Sequence, residues 1–337
     1  MATTRSLINA EAPAQAVTAG KNAVINGGFD VWQRGTSGTA NATAAGSGYN
    51  ADRWWNYYAG SMTVSRQATG DTTNLPNIQY CARIQRNSGQ TSATTIYHGQ
   101  DIETSNSIQF AGKVVTISFY ARAGANFSAA SSVLSANAQT GTGTDQHILA
   151  GYTGGTTYTS NVTINTTWQR FTYSFVAPTN TTQLGLYFLY NAVGTAGAAD
   201  YFEITGVQLE AGSIATPFSR AGGTIQGELA ACQRYYCKSY DQATTPGTAT
   251  STGTTYTVYG ASNTGAKYQT TFFPVVMRGT PTMQTYDLAG TAGKVYAGGN
   301  GGTAAYTSNG QQSFSAGIAA GTAALDLIYS WTASAEL

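Results

Sequence analysis

The sequence predicts an all-β protein, and three observations carry that reading. Charged residues make up 9% of the chain, against roughly 25% in ordinary soluble domains. With 5 Lys and 6 Glu in 337 residues, the charged outer faces that long helices need cannot be built. Thr, Val, Tyr and Phe suit a pleated, half-buried surface, and 40 Gly together with Asn supply its turns.

Residues 1–20 are Ala-rich, lack strong periodicity, and read as an N-terminal docking arm. Residues 21–220 read as short strands in a β-sandwich. Asp52-Arg53-Trp54 looks like a strand entering the core, with Asp52 and Arg53 paired locally at the surface. Trp54 then faces inward, as does Tyr57 or Tyr58, while Trp55 faces out as a ligand or interface contact. Val114–Arg122 alternates, with Val115, Ile117, Phe119 and Ala121 on one face. Gln169–Val176 puts Phe171, Tyr173 and Phe175 on one face, and Leu184, Leu186, Phe188 and Tyr190 repeat the rhythm. In Tyr201–Glu210 the phase slips: Phe202 and Ile204 share one parity, Val207 and Leu209 the other. Gly206 sits at the slip, which predicts a β-bulge there. The Gly/Ser/Thr tracts Gly35–Gly48 and Ala136–Thr144 read as long surface loops.

Residues 221–240 form a junction segment after Ala221-Gly222-Gly223. Ile225, Leu229, Cys232 and Tyr236 fit helical spacing, and the tyrosine-rich end equally fits the start of a strand. Gln233, Arg234, Tyr235 and Tyr236 are read as packing between domains or between subunits, with Arg234 forking onto a carboxylate or carbonyl. Residues 241–337 form a second, smaller β unit. Its last strand alternates Leu325, Leu327, Tyr329 and Trp331 against Ala324, Asp326 and Ser330. Tyr286, Tyr296 and Tyr306 recur among Gly-rich turns and, with Trp55, are the candidate ligand contacts. Met277 and Arg278, before Gly279-Thr280-Pro281, read as a strand end and turn.

Several functions find no support in the residues. A net charge of +1 gives no basic face for nucleic acid. No apolar run approaches the ~18–20 residues that span a bilayer, and residues 1–20 have no apolar signal-peptide core. Cys81, Cys232 and Cys237 read as small buried hydrophobes rather than a disulfide framework. His98 and His147 lie far apart, without metal-ligand spacing. There is no G-x-S-x-G elbow and no phosphate loop, and the acids are too scattered to mark a glycosidase pair. The expectation is a non-enzymatic protein without a cofactor.

Three segments carry a resemblance: Val24–Gly35 (VINGGFDVWQRG) followed by Ala51–Trp54; Val207–Arg220 (VQLEAGSIATPFSR) leading into Glu228–Tyr236; and Met277–Pro281 with the terminal Ala335-Glu336-Leu337. As a set they resemble tailed-bacteriophage virion proteins, either tail fibres or minor structural proteins. The resemblance implies an N-terminal jelly roll similar to carbohydrate-binding modules, a smaller C-terminal sandwich, and a homotrimer. It also implies location in the virion after assembly in the host cytoplasm, and a role in attachment, with the C-terminal sandwich displaying loops to a host surface glycan or protein. Partners would be other tail, neck or capsid proteins. The sequence has no coiled coil, collagen-like tract or extended shaft. This leaves two alternatives: a capsid or neck decoration protein, and a virion-associated enzyme that degrades polysaccharide. Some carbohydrate-binding jelly rolls hold a structural Ca²⁺, for which Asp30 and Glu203 are the candidate oxygen ligands, against the reading of both as solvated side chains.

Overall fold

The computed structural model describes residues 20–39, 48–298, 300–320 and 324–337, with the side chains of 260–263, 300, 301, 303, 305–308 and 324 left undescribed. The docking arm proposed for residues 1–20 therefore lies outside the described residues apart from Gly20, as does most of the Gly35–Gly48 loop. Strand accounts for 43% of the chain and helix for 7%, so the protein is all-β.

The first unit contains, in chain order, β1 (Ser37–Thr39), β2 (Trp55–Tyr57), β3 (Met62–Ala68), β4 (Tyr80–Arg86), β5 (Thr95–Ile102), the one-turn α1 (Thr104–Ser107), β6 (Val114–Ala123), β7 (Val133–Gly141), β8 (Thr156–Thr163), β9 (Gln169–Val176), β10 (Gln183–Asn191) and β11 (Tyr201–Ala211). They form two antiparallel sheets, ordered β1-β3-β4-β11-β6-β9 and β2-β5-β10-β7-β8. From β4 onward the chain passes repeatedly from one sheet to the other, which makes the sandwich a jelly roll.

Alternation drives this packing. Val115, Ile117, Phe119 and Ala121 from the first sheet meet Leu184, Leu186, Phe188 and Tyr190 from the second, all essentially without exposure. Phe119 and Phe188 touch edge to face at 4.9 Å. The slip in β11 is a β-bulge: the register to β6 shifts between Thr205 and Gln208, and Gly206 adopts φ +58°. The extra residue lets Phe202, Ile204, Val207 and Leu209 all reach the core despite their change of parity.

The tract Ala136–Thr144 is not a surface loop, because most of it belongs to β7. Ala136 and Ala138 face the core, fully covered, and their small side chains leave room for the aromatic residues opposite. Composition misled here, since Ala, Thr and Gly look loop-like until a buried sheet needs small side chains.

A helix, α2 (Ile225–Gln233), and a strand, β12 (Tyr236–Lys238), lie in the junction segment, so both sequence signals were real. Thr224 caps the helix by accepting from the Gly227 N–H at 3.1 Å. Glu228 on α2 accepts from the backbone N–H groups of Asn26 and Gly222, tying the helix to the first unit.

The second unit continues with β13 (Thr255–Asn263), β14 (Lys267–Phe272), β15 (Thr282–Tyr286), β16 (Lys294–Ala297), β17 (Asn300–Thr303), β18 (Ala305–Asn309), β19 (Ser313–Ile318) and β20 (Ala324–Ser334). β20 is central: β12 and β13 pair with it, as do β15 and β16. A three-stranded sheet, β14-β19-β18, completes the smaller sandwich. Between the two sheets lie Leu327, Tyr329, Trp331, Phe314 and Val295.

Several of the residues that carry the resemblance meet where the two units touch; those of Val207–Arg220 pack within the first unit instead. Arg34 and Arg53 both reach Glu336. Their guanidinium groups lie 3.6 Å over the rings of Tyr236 and Tyr235 respectively. Gln33 donates to the Tyr236 carbonyl at 2.6 Å, and Arg234 forks onto Glu103 at 3.0–3.2 Å. Arg278 donates to the carbonyls of Ala335 and Glu336 and to the Asp145 carboxylate. Met277 is buried in the second core. Asp52 and Arg53 are not a local surface pair: both are buried, and Asp52 accepts from Gln33 while Arg53 bridges to Glu336.

Candidate functional site

Exposed aromatic side chains gather on the outer face of the second sheet. Register places them: Trp55 lies opposite Gly99, and Tyr57 opposite Tyr97, while Tyr187 pairs with Gly99 across β5 and β10. Trp55, Tyr57, Tyr97 and Tyr187 therefore share the face that points away from the core. Their ring centroids form a chain, Tyr57 to Tyr97 at 5.8 Å, Tyr97 to Tyr187 at 6.0 Å and Tyr187 to Trp55 at 6.4 Å. Beyond β10 the face continues with Asn137 and Gln139 of β7 and Thr157 and Thr159 of β8. Thr159 donates to Asn137 at 2.6 Å.

Trp55 faces outward as its parity requires, yet it is fully buried, which corrects its assignment as an exposed contact. Two features cover it. Gly99 has no side chain, and a Cβ there would come within 2.4 Å of the Trp55 ring, so the indole lies flat on the strand. The segment between β7 and β8 then folds over it, bringing Ile148 and Tyr152 into contact and His147 to 5.3 Å. Trp55 is the floor of the face, and the half-exposed Tyr57, Tyr97 and Tyr187 are its surface.

The covered end is fixed by one carboxylate. Asp101 accepts from the Tyr152 hydroxyl at 2.7 Å and the Ile148 N–H at 3.0 Å. Its other oxygen faces His147 Nε2 at 3.6 Å. Burial pushes the Asp101 carboxyl above the ordinary range and the His147 imidazole below it, because both charged forms lose their water. Burial also raises the Tyr187 hydroxyl, which stays a neutral donor. Asp101 is the one ionisable carboxylate on this face among the described residues, and Tyr152 and Ile148 hold it away from solvent. A planar aromatic run edged by amides and hydroxyls, without exposed charge, is suited to flat, neutral, hydroxyl-rich ligands.

The other candidate residues are dispersed. Tyr286 ends β15 against Tyr240, with centroids 5.9 Å apart. Tyr296 lies on β16 beside β20. Tyr306 belongs to β18 in the opposite sheet, and its side chain lies outside the described residues. The repeat does not build one surface. Of the junction residues, Tyr235 and Tyr236 are buried, Arg234 is on Glu103, and Gln233 is half-buried. Glu203 is fully buried between Arg83 and Arg122, and Asp30 receives Arg220 at 2.7 Å. Neither carboxylate is the solvated side chain expected from the sequence, and arginine donors occupy both of the candidate calcium ligands.

Sequence reasoning missed Tyr97 and Tyr187. The signal was present for Tyr187, an aromatic at outward parity between the inward Leu186 and Phe188. Tyr97 stands likewise between the buried Ile96 and His98.

No family model and no curated protein matches the chain. Solved structures similar to it include the enzymatically active domain of tailspike protein 4 from bacteriophage CBA120, at 13% identity and TM-score 0.37, covering 57% of this chain and 21% of that one. Another is the module TmCBM61 in complex with β-1,4-galactotriose, at 13% identity and TM-score 0.34, covering 57% and 99%. A third is the CBM22-1 xylan-binding domain from Paenibacillus barcinonensis Xyn10C, at 15% identity and TM-score 0.34, covering 59% and 100%. The chain spans about a fifth of the tailspike structure and the full length of the xylan-binding domain.

Proposed function

We propose that the protein is a non-enzymatic bacteriophage virion protein that binds a neutral glycan on the host surface through the outer face of its second sheet. One observation carries the binding role: Tyr57, Tyr97 and Tyr187 stand half exposed on three neighbouring strands, over a buried Trp55. Neighbouring strands are about 4.8 Å apart, so the rings form a continuous apolar track. The amides and hydroxyls of Asn137, Gln139, Thr157 and Thr159 extend it. Binding rather than cleavage is favoured because glycoside hydrolysis uses two carboxylates, and among the described residues this face offers the sequestered Asp101 alone.

The virion role rests on the resemblance of the three segments, and residues from each of them, Arg34 and Arg53, Tyr235 and Tyr236, Arg278 and Glu336, meet at the junction between the two units. A homotrimer would multiply weak single-site affinity, since linked copies raise the effective concentration. Purified protein should bind host-surface polysaccharide in affinity electrophoresis, and Tyr97→Ala should abolish the retardation while the fold is kept. Unchanged retardation would remove the tyrosine face from the proposal. Immunogold labelling of intact particles tests the virion assignment separately, and light scattering tests the trimer.

A further inference from the structure

The opposite side of the same sandwich holds a different kind of site. Three arginines, Arg83, Arg122 and Arg170, project from the outer face of the first sheet. Arg83 and Arg122 share the buried Glu203 between them. Arg170 has no carboxylate within ion-pair distance among the described residues. Its Nη2 donates to the Thr216 carbonyl and to Ser118 Oγ, which fixes the guanidinium while its Nε and Nη1 make no hydrogen bond to the described protein atoms.

That guanidinium borders a pocket of about 360 Å³, walled by Tyr120, Phe218, Leu75, Ile78, Pro76 and Pro217 and edged by Thr73, Asn74 and Asn77. Arg170 is the one charged residue in the lining. A neighbouring pocket, across the 69–79 segment, differs on this point: its lining includes both Asp71 and Arg220, and Arg220 is already paired with Asp30. The Arg170 pocket therefore has one charged residue in its lining, without an ion-pair partner among the described residues, two aromatic walls, and amides and a hydroxyl at its edge. At that edge Asp71, outside the lining, accepts from Asn74 and the Thr73 N–H. Its size falls within the ~300–1,000 Å³ range of small-ligand sites.

We propose that this pocket binds a single acidic sugar unit, a ring bearing one carboxylate, as in a uronate or sialate. The carboxylate pairs with the free edge of Arg170, where charge-assisted donors are strongest. The ring lies between Tyr120 and Phe218, and its hydroxyls meet Asn77, Asn74 and Thr73. The site is separate from the tyrosine face and does not depend on it.

The test uses the full chain, titrated calorimetrically with a 4-linked uronate oligomer, with sialyllactose, and with the corresponding neutral oligosaccharides. Saturable binding of one acidic probe is expected, weakened at least 10-fold by Arg170→Gln, less by Arg170→Lys, and within twofold of wild type in Tyr97→Ala. Arg170 is exposed, so the glutamine variant should keep its circular-dichroism spectrum and melting temperature. The idea is overturned if neither acidic probe binds, if Arg170→Gln binds as well as wild type, or if a tetraglutamate peptide binds more tightly than both sugars. That last result would indicate an acidic peptide instead.

Discussion

At the junction, Arg34 and Arg53 each lie 3.6 Å over a tyrosine ring and also reach the carboxylate of Glu336. On the outer face of the second sheet, Tyr57 and Tyr187 each touch Tyr97, but among the described residues no cation lies over the three rings and no ion pair beside them. Both regions are rich in tyrosine, yet they differ in how fully the protein satisfies its own side chains. At the junction the charged groups are paired internally, so truncation strips a buried charge of one of its partners. On the open face each ring is partly in contact with water, so truncation removes contact area that a ligand would otherwise cover. The first arrangement holds two units together, and the second leaves interactions for something outside the chain.

The contrast is tested most severely at Arg53, which is 1% exposed. Arg53→Ala removes a buried partner of Glu336, a donor to the Asp101 carbonyl and the cation over Tyr235. Breaking a buried pair on one side costs about 3–5 kcal/mol. Urea denaturation should show a loss of that size, whereas Tyr57→Ala should cost less than about 1 kcal/mol. Similar losses at both positions would erase the distinction.

His98 gives the next largest effect and sharpens the comparison from inside the first core. Its ring is stacked on Trp54 at 4.8 Å, its Nδ1 meets Asn56 at 2.6 Å, and it is fully buried. Burial lowers its pKa from 6.5 to about 3. A depressed folded-state value means that the stabilising contribution is complete above pH 6.5 and is lost as the pH falls toward 3. Each unit in that window costs up to about 1.4 kcal/mol. Asp52, raised by burial to about 6, acts in the opposite sense, so the informative quantity is the difference between two proteins. Wild type should lose about 2–3 kcal/mol more than His98→Gln between pH 6.5 and pH 4.5. Parallel pH profiles would show that His98 is protonated in the fold.

The open face should behave the other way, with an effect on affinity and little on folding. Tyr97→Ala is expected to weaken glycan binding at least tenfold, about 1.4 kcal/mol, and to leave the denaturation midpoint nearly unchanged. A stability loss without an affinity loss would make Tyr97 a structural residue and remove the comparison.

What could be read from the sequence follows the same division. Parity along a strand needs only local spacing, so the inward sets of β6 and β10 were legible, as was the bulge in β11; in β20 Leu327, Tyr329 and Trp331 are buried as expected, but Leu325, assigned to the same face, is exposed. Trp55 shows where that logic stops. Parity assigned its direction correctly, but its burial depends on Gly99 in a strand more than 40 residues away and on a cover supplied by Ile148 and Tyr152. The partners of Arg53 and Asp52 were hidden for the same reason, because Glu336 lies at the far end of the chain. Outward faces assembled from distant strands carry no local period that could be counted.

Gly206 offers the most local test, because it asks whether the bulge belongs to the fold or is only tolerated by it. Its φ of +58° is a left-handed conformation, which costs an L-residue about 1–2 kcal/mol. A Cβ there would also come within 2.8 Å of Ile78 Cδ1 and 2.9 Å of Tyr120, the end of one side chain and the ring of another. Ile78 can shift at little cost, so Gly206→Ala should destabilise by about 1–2 kcal/mol rather than unfold the protein. The change lies on the outer side of the first sheet, away from Tyr97, so affinity at the tyrosine face should be unaltered. Because Ile78 and Tyr120 both line the Arg170 pocket, any loss of acidic-sugar binding in this variant would come through displacement of those side chains. If Gly206→Ala were neutral in stability, the backbone must relax out of the left-handed conformation. The phase change that brings Val207 and Leu209 into the core would then need another cause.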